Sequence, residues 1–176
     1  MSAKNSPPTP PRGPNDRDSG SNTDSAPQAT GTRELILAYF QEPERWQHIA
    51  STATPIPDDF SVVLAHVSAQ LGSYRGAFKT RVLSDEEKQT ADLLARAMQR
   101  YIVKVLACAN ADHYRVLGLT RRASATDIHQ HHQMLRRVLD IGDETPSIRR
   151  AVEFISRAYA TLTDSQRRAT YDKTLR

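Results

Sequence analysis

The sequence is poor in cysteine, glycine and aromatic residues, with one Cys, one Trp and seven Gly among 176 residues. A lone Cys108 excludes an internal disulfide, and its apolar setting in IVKVLACAN favours a small buried side chain over a reactive thiol. No apolar run approaches the roughly 18 residues that span a membrane, and the N-terminus lacks the apolar core of a secretory signal. We therefore expect a cytoplasmic protein without a membrane span.

Catalytic motifs are also missing. The sequence has no glycine-rich phosphate loop, no nucleophile elbow, no zinc-protease helix and no His spaced to activate Cys108. Asp140, Asp143 and Glu144 lie together, a pattern more typical of an acidic surface turn than of an acid–base pair. We predict a non-enzymatic protein that needs no cofactor.

Histidines are concentrated at His129, His131 and His132, with His113 not far away. Two His three residues apart share a helix face and suggest a metal site, but no second pair of ligands has metal spacing. We therefore predict packing or surface histidines and no metal. A pH response stays open, because imidazoles with a pKa near 6.5 would add positive charge in mild acid.

The composition that is present, 38% apolar and 25% charged, permits a packed core. Residues 1–32 are an exception, because they are rich in Pro, Ser, Gly, Asn and Thr and have almost no large apolar side chains. Such a segment cannot offset the entropy of ordering, so we predict a disordered tail. Its PPTPP run would suit a polyproline-binding partner, although a flexible leader is the simpler interpretation.

Residues 33–110 carry helical periodicity and predict a small bundle of four helices. Pro43 divides the first two, Gly72 is expected to end the third, and Ser84 with Glu87 forms a capping box for a long fourth helix. The apolar positions that support these helices are Leu35, Ile36, Tyr39, Phe40, Trp46, Ile49, Ala50, Phe60, Val63, Leu64, Val67, Leu71, Leu94, Met98, Tyr101, Ile102, Val105 and Leu106. The family of this segment is not evident.

Residues 111–176 predict two long helices flanked by two short ones, with the long pair antiparallel. Gly118 closes the first, Ser124 caps the second, Thr145 and Pro146 begin the third, and the last starts near Asp164. The expected apolar positions are Ile128, His132, Leu135 and Leu139 in the second helix and Ile148, Val152, Ile155, Tyr159 and Leu162 in the third. The fold class is therefore all-α.

Several motifs of this C-terminal part occur together in one register. Residues 111–176 resemble a J domain, in which Tyr114, Val116, Leu117 and Gly118 match the first helix, Ala123, Ser124 and Ile128 the entry to the second, and Ala158, Tyr159, Leu162, Asp164, Gln166, Arg168, Ala169, Tyr171 and Asp172 the last two. The resemblance implies a co-chaperone module that stimulates ATP hydrolysis by the 70-kDa heat-shock chaperone. It also places a buried aromatic of the family at His132.

The resemblance fails at the residues that carry this activity. The His-Pro-Asp triplet of the family falls on Asp140, Ile141 and Gly142. The usually basic positions of the second helix are here His129, Gln130, Gln133, Met134 and Val138. Arg136 and Arg137 lie in that helix at positions that are usually small or apolar in the family. Because charge complementarity steers and orients docking, we expect no ordinary stimulation of the chaperone.

Our first hypothesis is an interaction or scaffold protein built on a degenerate J-like domain, with an authentic J protein, a chaperone or a client as partner. Met134, Val138 and Ile141 would form an apolar contact strip, and Arg136, Arg137, Arg149 and Arg150 would orient the partner. The alternative, equally open, is that Val138 and Ile141 pack against the preceding long helix.

A second hypothesis is a nucleic-acid-binding accessory protein. Residues 111–176 hold 12 Lys and Arg against 8 Asp and Glu, a net charge of +4. Phosphate binding requires the basic side chains on one face, and the candidates are Arg121, Arg122, Arg136, Arg137, Arg149, Arg150, Arg167 and Arg168. A non-standard contact with the chaperone is a third possibility.

Overall fold

The computed structural model describes residues 31–75, 84–142 and 144–175. This part of the chain is entirely helical, which confirms the all-α prediction; the predicted tail at 1–32 lies almost wholly outside it. The α-helices are α1 (Thr32–Gln41), α2 (Phe60–Arg75), α3 (Asp85–Tyr101), α4 (His113–Val116), α5 (Ala125–Leu139), α6 (Pro146–Thr163) and α7 (Ser165–Thr174). A 3-10 turn spans Gln47–Ala50 and a π-helical turn spans Ile102–Leu106. No helix among these residues is long and apolar enough to cross a membrane.

Helix starts follow the local sequence signals closely. Ser84 accepts a hydrogen bond from the Glu87 amide, and the Glu87 carboxylate accepts one from the Ser84 amide, so the predicted capping box is present. Ser124 and Asp127 form a second box at the start of α5. Thr145 accepts from the Ile148 amide at the start of α6, where a proline occupies the first turn. These caps satisfy amides that have no partner within the helix.

One expected helix end is wrong, and one predicted helix changes its hydrogen-bond pattern within its length. Gly72 does not terminate α2, which continues to Arg75, because its backbone does not adopt the positive φ of a terminating glycine. The predicted single helix after Ser84 changes at Tyr101 into a π-helical turn, in which the Ala107 amide donates to the Ile102 carbonyl over 2.9 Å. The wider turn buries Tyr101, Ile102, Val105, Leu106 and Ala107 together.

The two halves of the sequence share one hydrophobic core. Buried side chains from α1, α2 and α3 form a continuous cluster with those of α4, α5 and α6. Helix α2 packs on α5, α3 also contacts α5, and α5 packs most extensively on α6. The predicted division into a bundle at 33–110 and a domain at 111–176 thus describes two sequence segments that are joined through their interiors.

Gly118 lies at one junction between these segments. Its φ is +68°, and a Cβ placed on it would stand 2.4 Å from Cε1 of Phe60, the first residue of α2. The ring of Phe60 is buried and lies 5.8 Å from that of Tyr101 in α3. Glycine therefore both permits the turn after α4 and leaves room for a ring from the preceding segment.

Arg115 forms a second junction and was missed by the sequence analysis. Its side chain is only 7% exposed. The guanidinium donates to the carbonyl oxygens of Ser51 at 2.9 Å, Thr54 at 2.6 Å and Val105 at 3.4 Å. An arginine between the buried Tyr114 and Val116 was the available signal, because a charged residue in an apolar stretch needs buried acceptors.

The last helix is fixed by residues that carry the family resemblance. Tyr114 donates its hydroxyl proton to Asp172 Oδ1 at 2.7 Å and accepts from Arg168 Nε at 2.9 Å. Arg168 also donates to the carbonyls of Arg121 and Ala123. The hydroxyl of Tyr171 accepts from the backbone amide at the start of α4 at 2.8 Å. This polar network attaches α7 to the loop before α5 and to α4.

Candidate protein-interaction surface

The residues that the resemblance aligns with the His-Pro-Asp triplet form the turn that ends α5. Asp140 is the C-cap of α5, and its amide donates to the Arg136 carbonyl at 3.1 Å. Gly142 follows with a φ of +69°, and open space lies where its Cβ would be. The side chain of Ile141 is half-buried against the core. The turn therefore presents one carboxylate and one partly buried apolar side chain, with no imidazole and no proline ring.

Helix α3 attaches this turn to the rest of the protein. Gln99 Nε2 donates to the Ile141 carbonyl at 2.9 Å and lies 3.4 Å from the Leu139 carbonyl. Gln99 belongs to the segment before the J-like part, so the turn is held from outside that part. The last carbonyls of a helix have no partner within it, and the Gln99 amide serves that of Leu139 together with the Ile141 carbonyl in the turn that follows.

A stripe of α5 faces α2 and α3. His131, Met134 and Val138 recur at spacings of three and four residues and thus share one face of α5, and Ile141 follows in the turn after it. Val138 is 0% exposed and His131 is 4% exposed, while Met134 and Ile141 are partly buried. Ser61 of α2 lines the same groove, of about 540 Å³, as His131 and Met134. The chain's own helices therefore pack against this stripe.

The burial of these side chains bears on the two alternatives left open by the sequence. Val138 belongs to the core, so it is not part of an exposed strip for a partner in the folded chain. Ile141 packs against the same core with partial exposure, next to the turn held by Gln99. Met134 retains a part of its surface beside the groove between α2 and α5. The chain's own helices therefore cover part of the expected apolar strip, and its role toward a partner stays a prediction.

The buried histidine of α5 is His131, whereas the resemblance to J domains predicted that His132 would be buried. His131 Nδ1 lies 2.9 Å from the Leu117 carbonyl oxygen and must carry the proton, since a carbonyl only accepts. Burial lowers the pKa of His131, against smaller opposing effects of that hydrogen bond and of Asp127. His131 is buried in place of His132 because α2 packs on that side of α5. The amphipathic pattern of α5 alone fits either residue.

The outward face of α5 carries few charges. Gln133 Nε2 donates to His129 Nε2 at 2.7 Å, and His129 Nδ1 bonds the Tyr159 hydroxyl at 3.0 Å. The imidazole of His132 stacks on the Tyr159 ring with centroids 4.0 Å apart. Burial, then Arg136 and His129, lower the pKa of His132. The lowered pKa values of His131 and His132 favour their neutral forms, so the possible pH response finds no support at these two residues.

The arginines proposed for nucleic acid have different roles in the fold. Arg149 pairs with Glu144 at 3.3 Å, Arg150 lies over the Phe154 ring at 5.4 Å, and Arg167 lies 3.9 Å from Asp164. Arg168 belongs to the Tyr114 network. Arg121, Arg122, Arg136 and Arg137 are the other members of the set, and all four are exposed. Among the residues described by the structure, no group of three His, Cys, Asp or Glu side chains converges as for a metal ion.

Comparison with known proteins agrees with the resemblance of the C-terminal part. The DnaJ domain family matches residues 112–172. A chaperone protein DnaJ from Exiguobacterium sp. is 42% identical over 67 residues, which cover 37% of this chain and 18% of that protein. The matched stretch therefore spans less than a fifth of the curated relative. No solved structure matches the chain.

Proposed function

We propose that this chain is a cytoplasmic, non-enzymatic interaction protein of the 70-kDa chaperone system, whose DnaJ domain does not stimulate the chaperone's ATPase in the usual way. A DnaJ domain suggests a co-chaperone role of the J-protein kind. The helical frame that supports such a domain is retained here, whereas the surface associated with stimulation is not. A protein partner contacts the remaining exposed surface.

The turn after α5 carries most of this proposal. Asp140, Ile141 and Gly142 offer none of the groups of the family triplet, and Gln99 of α3 holds the Ile141 carbonyl at 2.9 Å. A chaperone that approached the turn would meet α3 beside it. Binding there would have to compete with an existing intramolecular contact, which lowers affinity by the free energy needed to open it.

The second support is the charge of α5. His129, Gln130 and Gln133 occupy exposed positions that are usually basic in the family. Neutral side chains give no long-range attraction to an acidic surface, and loss of several charge pairs reduces both the association rate and the orientation of the encounter. Arg136 and Arg137 remain exposed on α5 and provide orientation for a different partner.

The partner in this proposal is an authentic J protein, the chaperone itself or a client. Arg136, Arg137, Arg149 and Arg150 would orient it, and the exposed part of Met134 would add an apolar contact. Arg149 and Arg150 already contact Glu144 and Phe154, so partner binding would rearrange exposed and weak interactions. No observation on the arginines favours nucleic acid over a protein.

The test is single-turnover ATP hydrolysis by the 70-kDa chaperone of the same cells. We expect the full chain to leave the hydrolysis rate unchanged at concentrations where an authentic J domain accelerates it. The variant Asp140→His/Ile141→Pro/Gly142→Asp, which restores the triplet, should also remain inactive, because α5 still lacks the basic positions and α2 and α3 still cover it.

An authentic J domain in the same assay is the positive control, and its own triplet variant is the negative control. Acceleration by the unmodified chain, lost on changing Asp140 to Gly142, would refute the proposal. Acceleration by the restored variant alone would show that the covering helices do not limit docking and that the missing triplet is the whole cause.

A further inference from the structure

A groove with a strong excess of positive charge lies beside the turn after α5. It measures about 530 Å³ and runs between α3 with its π-helical extension and the start of α6. Arg96, Arg100 and Lys104 line it, at intervals of four residues. All three side chains are exposed, and no Asp or Glu is among the lining residues that belong to the described ranges 84–142 and 144–175.

We infer that this groove binds an acidic peptide segment of a partner protein, with its carboxylates on Arg96, Arg100 and Lys104 and an apolar side chain on the groove floor. The inference deepens the proposed interaction role and rests on it, by naming the chemistry of the partner and a surface outside the DnaJ domain's own helix α5. Charge complementarity is the main argument, because three exposed cations along one side of the groove attract and orient an anionic partner.

The spacing of the cations suits a peptide. Residues four apart on an α-helix are separated by about 6 Å along its axis. Carboxylates on alternate residues of an extended chain are about 6.6–6.8 Å apart, and those four apart on a helix are about 6 Å apart. Two acidic side chains of one segment can therefore pair with Arg96 and Arg100 at the same time.

The floor of the groove distinguishes a peptide from a nucleic acid. Val103, Ile141 and Ile148 are partly buried apolar side chains that line it. They suit an aliphatic side chain and offer no aromatic face for stacking a base. Among the described residues that line the groove, the one aromatic is Phe40, and the Arg100 guanidinium lies 5.9 Å from its ring centroid, so that face is already occupied.

The groove is continuous with the surface on which the proposed function depends. Ile141 and Gly142 contribute to its wall, and Gln99, which holds the Ile141 carbonyl, lines it as well. The first turn of α6 borders the other side and contains no acidic residue. A segment bound here would cover the turn after α5 and occlude it further.

Fluorescence polarisation with a defined probe tests the inference on the full chain. The probe is a fluorescein-labelled peptide of about twelve residues in which Asp and Glu alternate with Leu, and its uncharged counterpart carries Asn and Gln instead. We expect the acidic probe to bind, and Arg96→Gln/Arg100→Gln/Lys104→Gln to weaken it by about tenfold or more, as expected when several close charge pairs are removed. The uncharged probe should not bind measurably.

A matched variant controls for net charge. Arg121→Gln/Arg122→Gln/Lys173→Gln removes three exposed cations elsewhere and should change affinity by less than about twofold, through weak screened effects alone. Equal losses in both triple variants would overturn the inference, since they would show attraction to overall charge. Thermal unfolding of each variant, expected to be unchanged because the side chains are exposed, confirms that the comparison is between folded proteins.

Two further results separate the alternatives. Ile148→Ser should weaken binding of the acidic peptide but leave binding of a thymidine oligonucleotide of about twelve nucleotides unaffected. Tighter binding of the oligonucleotide than of the peptide, lost on replacing Arg96, Arg100 and Lys104, would instead assign the groove to nucleic acid. The ATPase assay addresses the proposed function and the peptide assay addresses the groove, so either can fail while the other stands.

Discussion

Replacing Gly118 with alanine is expected to destabilise the protein by about 3–4 kcal/mol, the largest effect of any substitution considered, whereas the same change at Gly142 should cost about 1 kcal/mol. Both glycines have a φ near +70° and so carry the same backbone penalty for an L-residue. They differ in their surroundings, because a Cβ at Gly118 meets the Phe60 ring at 2.4 Å and one at Gly142 meets nothing within 4 Å.

The difference between the two variants isolates the contact between α2 and the turn after α4. The Phe60 ring cannot move aside cheaply, since it is 1% exposed and packs near Tyr101. Urea unfolding monitored by circular dichroism gives both free energies. In the Gly118→Ala background, Phe60→Leu should cost at least about 1 kcal/mol less than in the unmodified protein. Equal destabilisation by the two alanine variants would mean that Phe60 does not lie against Gly118.

Replacing Arg115 with methionine is expected to cost about 3 kcal/mol in the free energy of unfolding. The carbonyls of Ser51, Thr54 and Val105 would lose a donor, and two of these hydrogen bonds are no longer than 2.9 Å. Removing a buried charge offsets part of the loss, because its desolvation no longer opposes folding. Arg115→Lys should cost less than Arg115→Met but still destabilise the protein, since an ammonium group keeps the charge but cannot donate to several carbonyls in a planar fork.

The matched control for Arg115 is Arg167→Met on α7. The Arg167 side chain is 67% exposed and lies 3.9 Å from Asp164, so its loss should change stability by less than about 0.5 kcal/mol. The same urea experiment applies, and a single transition is expected because the segments before and after residue 111 share one core. If Arg115→Met lost as little stability as the control, the hydrogen bonds of Arg115 to the three carbonyls would be contradicted.

The local elements could be predicted from the sequence because their causes are local. Two helix starts are indicated by capping boxes that each lie within four residues, Ser84 with Glu87 and Ser124 with Asp127. A third is indicated by Pro146, which suits the first turn of a helix. The likeness of residues 112–172 to a DnaJ domain also rests on motifs within short stretches. Such signals do not depend on what packs against the helix.

The errors concern contacts between distant parts of the chain. His131, and not His132, enters the core because α2 lies on that side of α5, and the periodicity of α5 alone fits either residue. The burial of Val138, one of two alternatives left open by the sequence, likewise depends on distant helices. Nothing local to Gln99 or Arg115 indicates their roles, because their partners are distant in the sequence. Gln99 bonds Ile141, which lies 42 residues away, and Arg115 bonds Thr54 and Ser51, which lie 61 and 64 residues away. Patterns along one helix do not encode which neighbour covers it.

The packing of α2 on α5 is the central claim, and methyl NMR tests it most directly. The chain has three methionines, of which Met134 lies on α5 and lines a groove together with Ser61 of α2. A nitroxide label on Ser61→Cys, in a Cys108→Ser background, is expected to broaden the Met134 methyl signal strongly, and chemical reduction of the label should restore it. A Met134 signal of equal intensity with the oxidised and the reduced label would contradict the account, because α2 would then not lie beside α5.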